Sequence, residues 1–423
     1  MQRRVGATIA ILAAVAAGWA GTGFMMSGVA AQTRGAGSAV PSYQADPFWP
    51  KPLPNHWILG SVTGVAVDSR DHVWIVHRGI DSLNTRTESA MGLTPPGAEE
   101  CCLPAPPVLE FDPAGTLVSS WGGPGQGYDW PQTPGGIAID PQGNVWIAAA
   151  GWPEPPAARG GGAGGRAGGG GGRAGAAGAG AAGAAATPAP TPAPKPYDAH
   201  LLKFSPKGQF LKQYGTPGSS DGSNSKTLLN RPANLDFDAS ANEVYVADGY
   251  GNHRVVVLDA ATGAYKRHWG AYGTPPADTD SGAYDPAAAA AKQFRAVTCV
   301  TLAKDGMVYV CDRTSDRVQV FDKTGKFMKE AIVSKAALGA GSVWDIALSS
   351  DAQQRYLFVA DGQEHTVFVL DRSSLATLGS IGTGGRIPGR FMGVGSVAVD
   401  SRGNLFTGET FEGKRVQKFT PGR

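Results

Sequence analysis

The sequence predicts an all-β chain: a six-bladed β-propeller whose ring is closed by an N-terminal strand. Three observations carry this. One pattern recurs six times: "GVAVDSRDHVWIVHRG" from Gly64, "GIAIDPQGNVWIAAAG" from Gly136, "NLDFDASANEVYVADG" from Asn234, "CVTLAKDGMVYVCDR" from Cys299, "DIALSSDAQQRYLFVADG" from Asp345 and "SVAVDSRGNLFTGET" from Ser396. Each is a short apolar strand, an Asp/Gly/Asn turn and a second strand, which is a hairpin signal. A third strand then follows, as in "VLEFDPAG", "VVVLDAATG" and "VQVFDKTG", and a fourth ends near glycine, as in "LVSSWGG" and "YKRHWG". Four strands per unit at spacings of roughly 45–100 residues fit propeller blades that carry loop insertions, and a sandwich would not repeat this way.

Taken in order, the chain opens with Arg3 and Arg4, an apolar run from Val5 to about Ala20, and "SGVAAQ" with small residues for cleavage near Ala31. This reads as a signal peptide over residues 1–31, giving a periplasmic or secreted protein; an uncleaved membrane anchor is the alternative. After cleavage no stable membrane span is expected. Residues 32–55 read as a linker and 56–423 as the propeller. The sixth unit ends after its third strand, "VQKFTPGR", so "NHWILG" before the first unit is expected to supply the fourth and remove an exposed edge. The tract 152–198, rich in Gly, Ala and Pro, has almost no large apolar residue and is expected to be a disordered insertion.

Composition narrows the function. There are 37 Lys+Arg against 35 Asp+Glu, a net charge of +2, and no basic stripe, so no nucleic-acid partner is expected. The four cysteines show no CxxC spacing. Pairing the fourth unit about its Lys304–Gly306 turn sets Cys299 opposite Cys311, within reach of a disulfide if the pair is the close kind; two buried thiols are the alternative. Cys101 and Cys102 either form a vicinal bridge or stay free.

In each blade, strand one starts on, and strand two returns to, the same face of the disc. The long connections 80–106, 152–198, 215–231 and 270–295 lie on that face, and loops on a rigid scaffold carry function. The turn of "VYVADGYGNHRVVVLD", with Tyr250, belongs there too.

The units resemble NHL repeats. Through "GVAVDSRDHVWIVHRG", "VYVADGYGNHRVVVLD" and "VYVCDRTSDRVQVF", residues 56 to 421 resemble the peptidyl-α-hydroxyglycine α-amidating lyase family. The resemblance implies a C–N lyase with a metal, usually zinc, held by three histidines that start strand one in blades two, four and six. It also implies substrate-binding arginines and a catalytic tyrosine, at positions held here by Arg78, Arg313 and Tyr250. The histidine positions, however, read Gly135, Thr298 and Gly395. A catalytic zinc needs about three protein ligands. The family's calcium carboxylate position reads Ser396, beside carbonyl positions at Val65 and Ile137. His77 and His253 lie on the same face but are expected to be turn residues.

No cofactor is therefore expected, with zinc or calcium only in a rearranged site. The leading expectation is a binding or interaction propeller taking a small carboxylate, a peptide or a protein partner on the long-loop face. One alternative is a divergent lyase using Tyr250, Arg78 and Arg313. Another is a lactonase-like hydrolase, whose metal cluster is partly suggested by Asn234, Asp345 and Ser396.

Overall fold

The computed structural model describes residues 40–84, 87–88, 102–151, 196–279 and 281–422. Among them are six four-stranded antiparallel sheets, which are the six blades. Blade one is Val62–Val67, Val73–His77, Val108–Phe111 and Leu117–Trp121, from axis to rim. Blade two is Pro134–Ile139, Val145–Ala149, His200–Phe204 and Phe210–Gly215. Blade three is Asn234–Asp238, Glu243–Asp248, Arg254–Asp259 and Tyr265–Trp269. Blade four is Val297–Leu302, Val308–Asp312, Arg317–Phe321 and Phe327–Ile332, and blade five is Asp345–Leu348, Tyr356–Asp361, Thr366–Asp371 and Thr377–Ile381. Blade six supplies Val394–Val399, Leu405–Glu409 and Arg415–Pro421.

The alternating apolar residues of these strands pack between blades rather than within one. Trp74 and Val76 of blade one meet Ile147 and Phe204 of blade two, and Val318 of blade four meets Val359 of blade five. The seam between blades six and one is packed the same way, by Phe406 and Val416 against Val62 and Ile75. Each blade thus shares a core with its neighbours.

The closing strand differs from the expected one. Tyr43–Asp46, inside the stretch read as linker, pairs antiparallel with Arg415–Pro421 and completes blade six. "NHWILG" cannot do so, because it adjoins the inner strand of blade one. The rim of a blade lies about three strand spacings, roughly 14 Å, from its inner strand. Asn55 and His56 also take left-handed backbone, which makes a turn. Trp57–Ile58 instead pairs in parallel with Leu103–Pro104, a two-stranded patch beside blade one.

Cys299 faces Cys311 in register, and the two form a disulfide with Cα atoms 4.9 Å apart. The vicinal question involves Cys101, which lies outside the described residues, as do residues 1–31, read above as a signal peptide, and residues 152–195 of the insertion. The strands flanking that insertion are adjacent in blade two, Ala148 opposite Leu201. No helix among the described residues is long and apolar enough to cross a membrane.

Candidate functional site: the axial cavity

The inner strands of blades one, two, four and six each begin with a break in register. It falls between Val62 and Gly64, Pro134 and Ile137, Val297 and Cys299, and Val394 and Ser396. Such bulges leave a residue unpaired and re-aim it. The re-aimed residues include Thr63, Gly135, Thr298 and Gly395. With Ala233 and Trp344 they give one equivalent position from every blade, and all six line a single cavity of about 390 Å³ on the axis. That volume lies at the small end of ligand pockets, roughly 300–1,000 Å³.

The three polar residues singled out from sequence converge on this cavity: Arg78, Tyr250 and Arg313 all line it. Each follows the end of a second strand. Arg78 is pinned by its N–H to the Ser61 carbonyl at 3.0 Å, Arg313 by its N–H to Ala296 at 2.9 Å, and Tyr250 by its N–H to Arg231 at 3.3 Å. The Arg313 Nη1 donates to the Tyr250 hydroxyl at 3.1 Å. Its guanidinium lies 4.6 Å from the Trp344 ring centre and 5.2 Å from that of Tyr250, in cation–π range. The Arg313 Nε is buried and has no hydrogen-bond partner among the described residues.

A third arginine completes this wall. Arg231 lines the cavity, with its guanidinium 5.7 Å from the Tyr250 ring centre and its Nε donating to the Ala150 carbonyl at 3.4 Å. Burial pulls its pKa down from the usual arginine range. It escaped the sequence reading because "NRPAN" is irregular chain before blade three, although it lies in the long connection on the correct face. Trp344 was more legible, since repeat alignment sets it at the position of Thr298.

Asn234, Asp345 and Ser396 also come together. The Asn234 amide donates to Asp345 Oδ1 at 3.2 Å, and the Val397 N–H donates to Oδ2 at 3.0 Å. Burial pushes the Asp345 carboxyl up to about 7, with Asp236 adding like charge, while the bonds from Val397, Ile346 and Ser396 pull it down. Ser396 Oγ in turn accepts from the Val65 N–H at 2.8 Å. These polar residues tie the inner strands of blades three, five, six and one to each other.

The zinc implied by resemblance does not fit the residues present. Gly135 and Gly395 bring no side chain, and the Thr298 hydroxyl donates to the Val343 carbonyl at 3.2 Å. At Gly135 a Cβ would fall 2.6 Å from the Ala233 carbonyl oxygen, so backbone occupies the space a ligand would need. His77 offers no replacement. It is fully buried, its Nδ1 accepts from the Gly60 and Gly79 N–H groups, and its Nε2 contacts the Pro106 carbonyl at 2.9 Å. Burial pushes its pKa down to about 4. Asp68, His72 and Glu110 approach one another at ligand distances, but Arg70 already bridges both carboxylates.

Comparison with known proteins agrees on the repeat. Residues 229–258 match the NHL repeat family model. The chain is 31% identical over 197 residues to NHL repeat-containing protein 3 of Mus musculus, covering 44% of this chain and 48% of that protein. The human protein of that name is 30% identical over 190 residues, with 43% and 46% covered. The chain thus spans about half the length of the curated relatives it matches. Among solved structures, a streptogramin B lyase aligns with 90% of this chain and 98% of its own, at 10% identity and a TM-score of 0.47. A virginiamycin B lyase from Staphylococcus aureus aligns over 90% and 99%, at 10% identity and 0.45.

Proposed function

We propose that this chain is an exported NHL-repeat propeller that binds a small carboxylate in its axial cavity without turning it over. The observation that carries the reading is the buried, unpartnered Nε of Arg313 in the cavity wall. A buried donor left unsatisfied costs about 1–3 kcal/mol. A carboxylate takes an Nε and an Nη of one guanidinium together, so it supplies the missing acceptor. Arg78 and Arg231 line the same cavity and add positive potential.

The relation to the amidating lyases belongs to this reading. On it, Arg78, Tyr250 and Arg313 are a retained anion site, and the metal machinery at Gly135, Thr298 and Gly395 has been lost. The hydrolase alternative is weaker: Asp345 is the one carboxylate lining the cavity among the described residues, and it is already held by Asn234 and Val397.

Calorimetry with propionate is the test. Arg313→Ala is expected to weaken binding at least tenfold, matching about 1.5–3 kcal/mol for hydrogen bonds to a charged group. Arg313→Lys should recover only part, because a lysine cannot form the two-pronged contact. The purified protein should carry far less than one equivalent of zinc and leave an α-hydroxyglycine peptide intact. Stoichiometric zinc with turnover would defeat the non-enzymatic reading.

A further inference from the structure

The repeat carries one more residue to the cavity. Tyr250 stands two positions after Asp248, the last residue of strand two in blade three. The same count from Glu409 in blade six reaches Phe411. Blades three and six are opposite in a six-membered ring, and Phe411 lines the same cavity as Tyr250. The two aromatic residues therefore occupy equivalent positions on opposite sides of the axis.

Phe411 is not placed there by the needs of the fold. The residue is 58% exposed, although Phe is a residue that cores take up readily. Its backbone is left-handed, with φ at 48°, a region that is strained for a bulky residue and that Gly or Asn would occupy more easily. Strain of this kind persists only where the surroundings impose it. Here the Ser61 hydroxyl holds the Phe411 carbonyl at 2.9 Å, and the adjoining Thr410 N–H bonds the Gly393 carbonyl at 2.8 Å. The ring meets the Trp344 indole edge to face, with centres 5.7 Å apart at 88°. Trp344 in turn stacks on Arg313, so an apolar lip adjoins the cationic wall.

We propose that Phe411 is a specificity-determining residue: with Trp344 it receives an aromatic or branched apolar group carried by the carboxylate that Arg313 holds. The ligand class is thus an amphiphilic monocarboxylate rather than a fully polar anion. This rests on the anion reading above, and the test separates the two. Burying part of a phenyl ring at about 25 cal/mol per Å² favours such a ligand by roughly tenfold or more.

The experiment compares 3-phenylpropionate with propionate by calorimetry on the intact protein. The parent should prefer 3-phenylpropionate about tenfold, and both should depend on Arg313. Phe411→Ala should reduce the preference to about twofold or less, by weakening 3-phenylpropionate far more than propionate. Phe411→Gly should do the same and raise Tm, because it relieves the left-handed strain; it serves as the second variant if the alanine protein does not fold. Equal affinities in the parent, or a preference unchanged in either variant, would overturn this inference and leave the anion site standing. Failure of both acids to bind would overturn the anion reading and this inference with it.

Discussion

Blades four and five are neighbours built on one strand pattern, yet different interactions hold them. In blade four the last residue of strand two, Asp312, faces Arg317 across the sheet, and the carboxylate takes the guanidinium Nε at 2.9 Å with both side chains buried. Blades three and six repeat this with Asp248–Arg254 at 2.9 Å and Glu409–Arg415 at 2.6 Å. In blade five the acid is kept as Asp361, but its cross-strand partner is Thr366, whose hydroxyl bonds the Ile381 and Gly382 carbonyls instead. Asp361 is fully buried, and its Oδ2 has no partner among the described residues. One pair further in, blade four has the Cys299–Cys311 disulfide where blade five sets Asp345 opposite Ala360.

The comparison separates backbone from chemistry. The strand geometry persists whether the end of strand two carries an ion pair or a lone acid, because burial between blades fixes it. Blade five is also the blade that sends Asp345 and Trp344 to the cavity. Local departures from the stabilising pattern are expected where a site has its own demands.

The largest expected effect comes from breaking the pair in blade four. Arg317 is buried and also donates to Tyr272, Ala291 and Gln293. Asp312→Asn leaves that cation without its nearer counter-charge, with Glu330 at 3.6 Å as the carboxylate that remains, and should destabilise by about 3–4 kcal/mol, the lower part of the range for breaking a buried pair. The midpoint of urea unfolding, followed by tryptophan fluorescence, measures it. A loss below about 1 kcal/mol would erase the contrast between the blades.

Next in size is the disulfide. Replacing Cys299 and Cys311 together by alanine frees a hairpin closed over a sequence separation of 12 residues, and should destabilise by about 2–3 kcal/mol. Thermal unfolding with and without reductant gives the comparison. The double variant should respond far less to reductant than the parent, which should fall toward it; any residual response of the variant reports the disulfide that Cys102 makes.

These contrasts also show what the sequence disclosed. The six repeats were legible because each hairpin is local, and the Cys299–Cys311 register followed from one short turn. Arg78, Tyr250 and Arg313 were legible because each follows the end of a second strand within one or two residues. The closing strand was not, since Tyr43–Asp46 is four residues long and its partner lies at the far end of the chain. Arg231 sits on irregular chain that no periodicity marks. Phe411 shows only when blade six is aligned with blade three. The orphaned Asp361 shows only once strands two and three are paired residue by residue.

The smallest effect sharpens the comparison most, because it has the opposite sign. Burial pushes the Asp361 carboxyl up to about 7. Glu364 and Asp316 add like charge, and the Glu364 and Gln363 N–H groups pull the other way. In the unfolded chain an Asp titrates near 4. Between about pH 4 and pH 7 the folded state therefore holds a proton that the unfolded state has released. The resulting stabilisation is fully present below pH 4 and is lost as the pH rises through 7. An amide at 361 carries no charge at either extreme. Asp361→Asn should thus stabilise by about 1–2 kcal/mol more at pH 8 than at pH 6, since the parent sheds the stability of the last pKa unit below 7 over that interval and one unit corresponds to about 1.4 kcal/mol. Taking Tm of variant minus parent at each pH cancels other titrations, including His77, whose depressed pKa acts in the opposite direction. A variant less stable than its parent at pH 8 would mean that Asp361 is satisfied, and that blade five differs from blade four in sequence but not in kind.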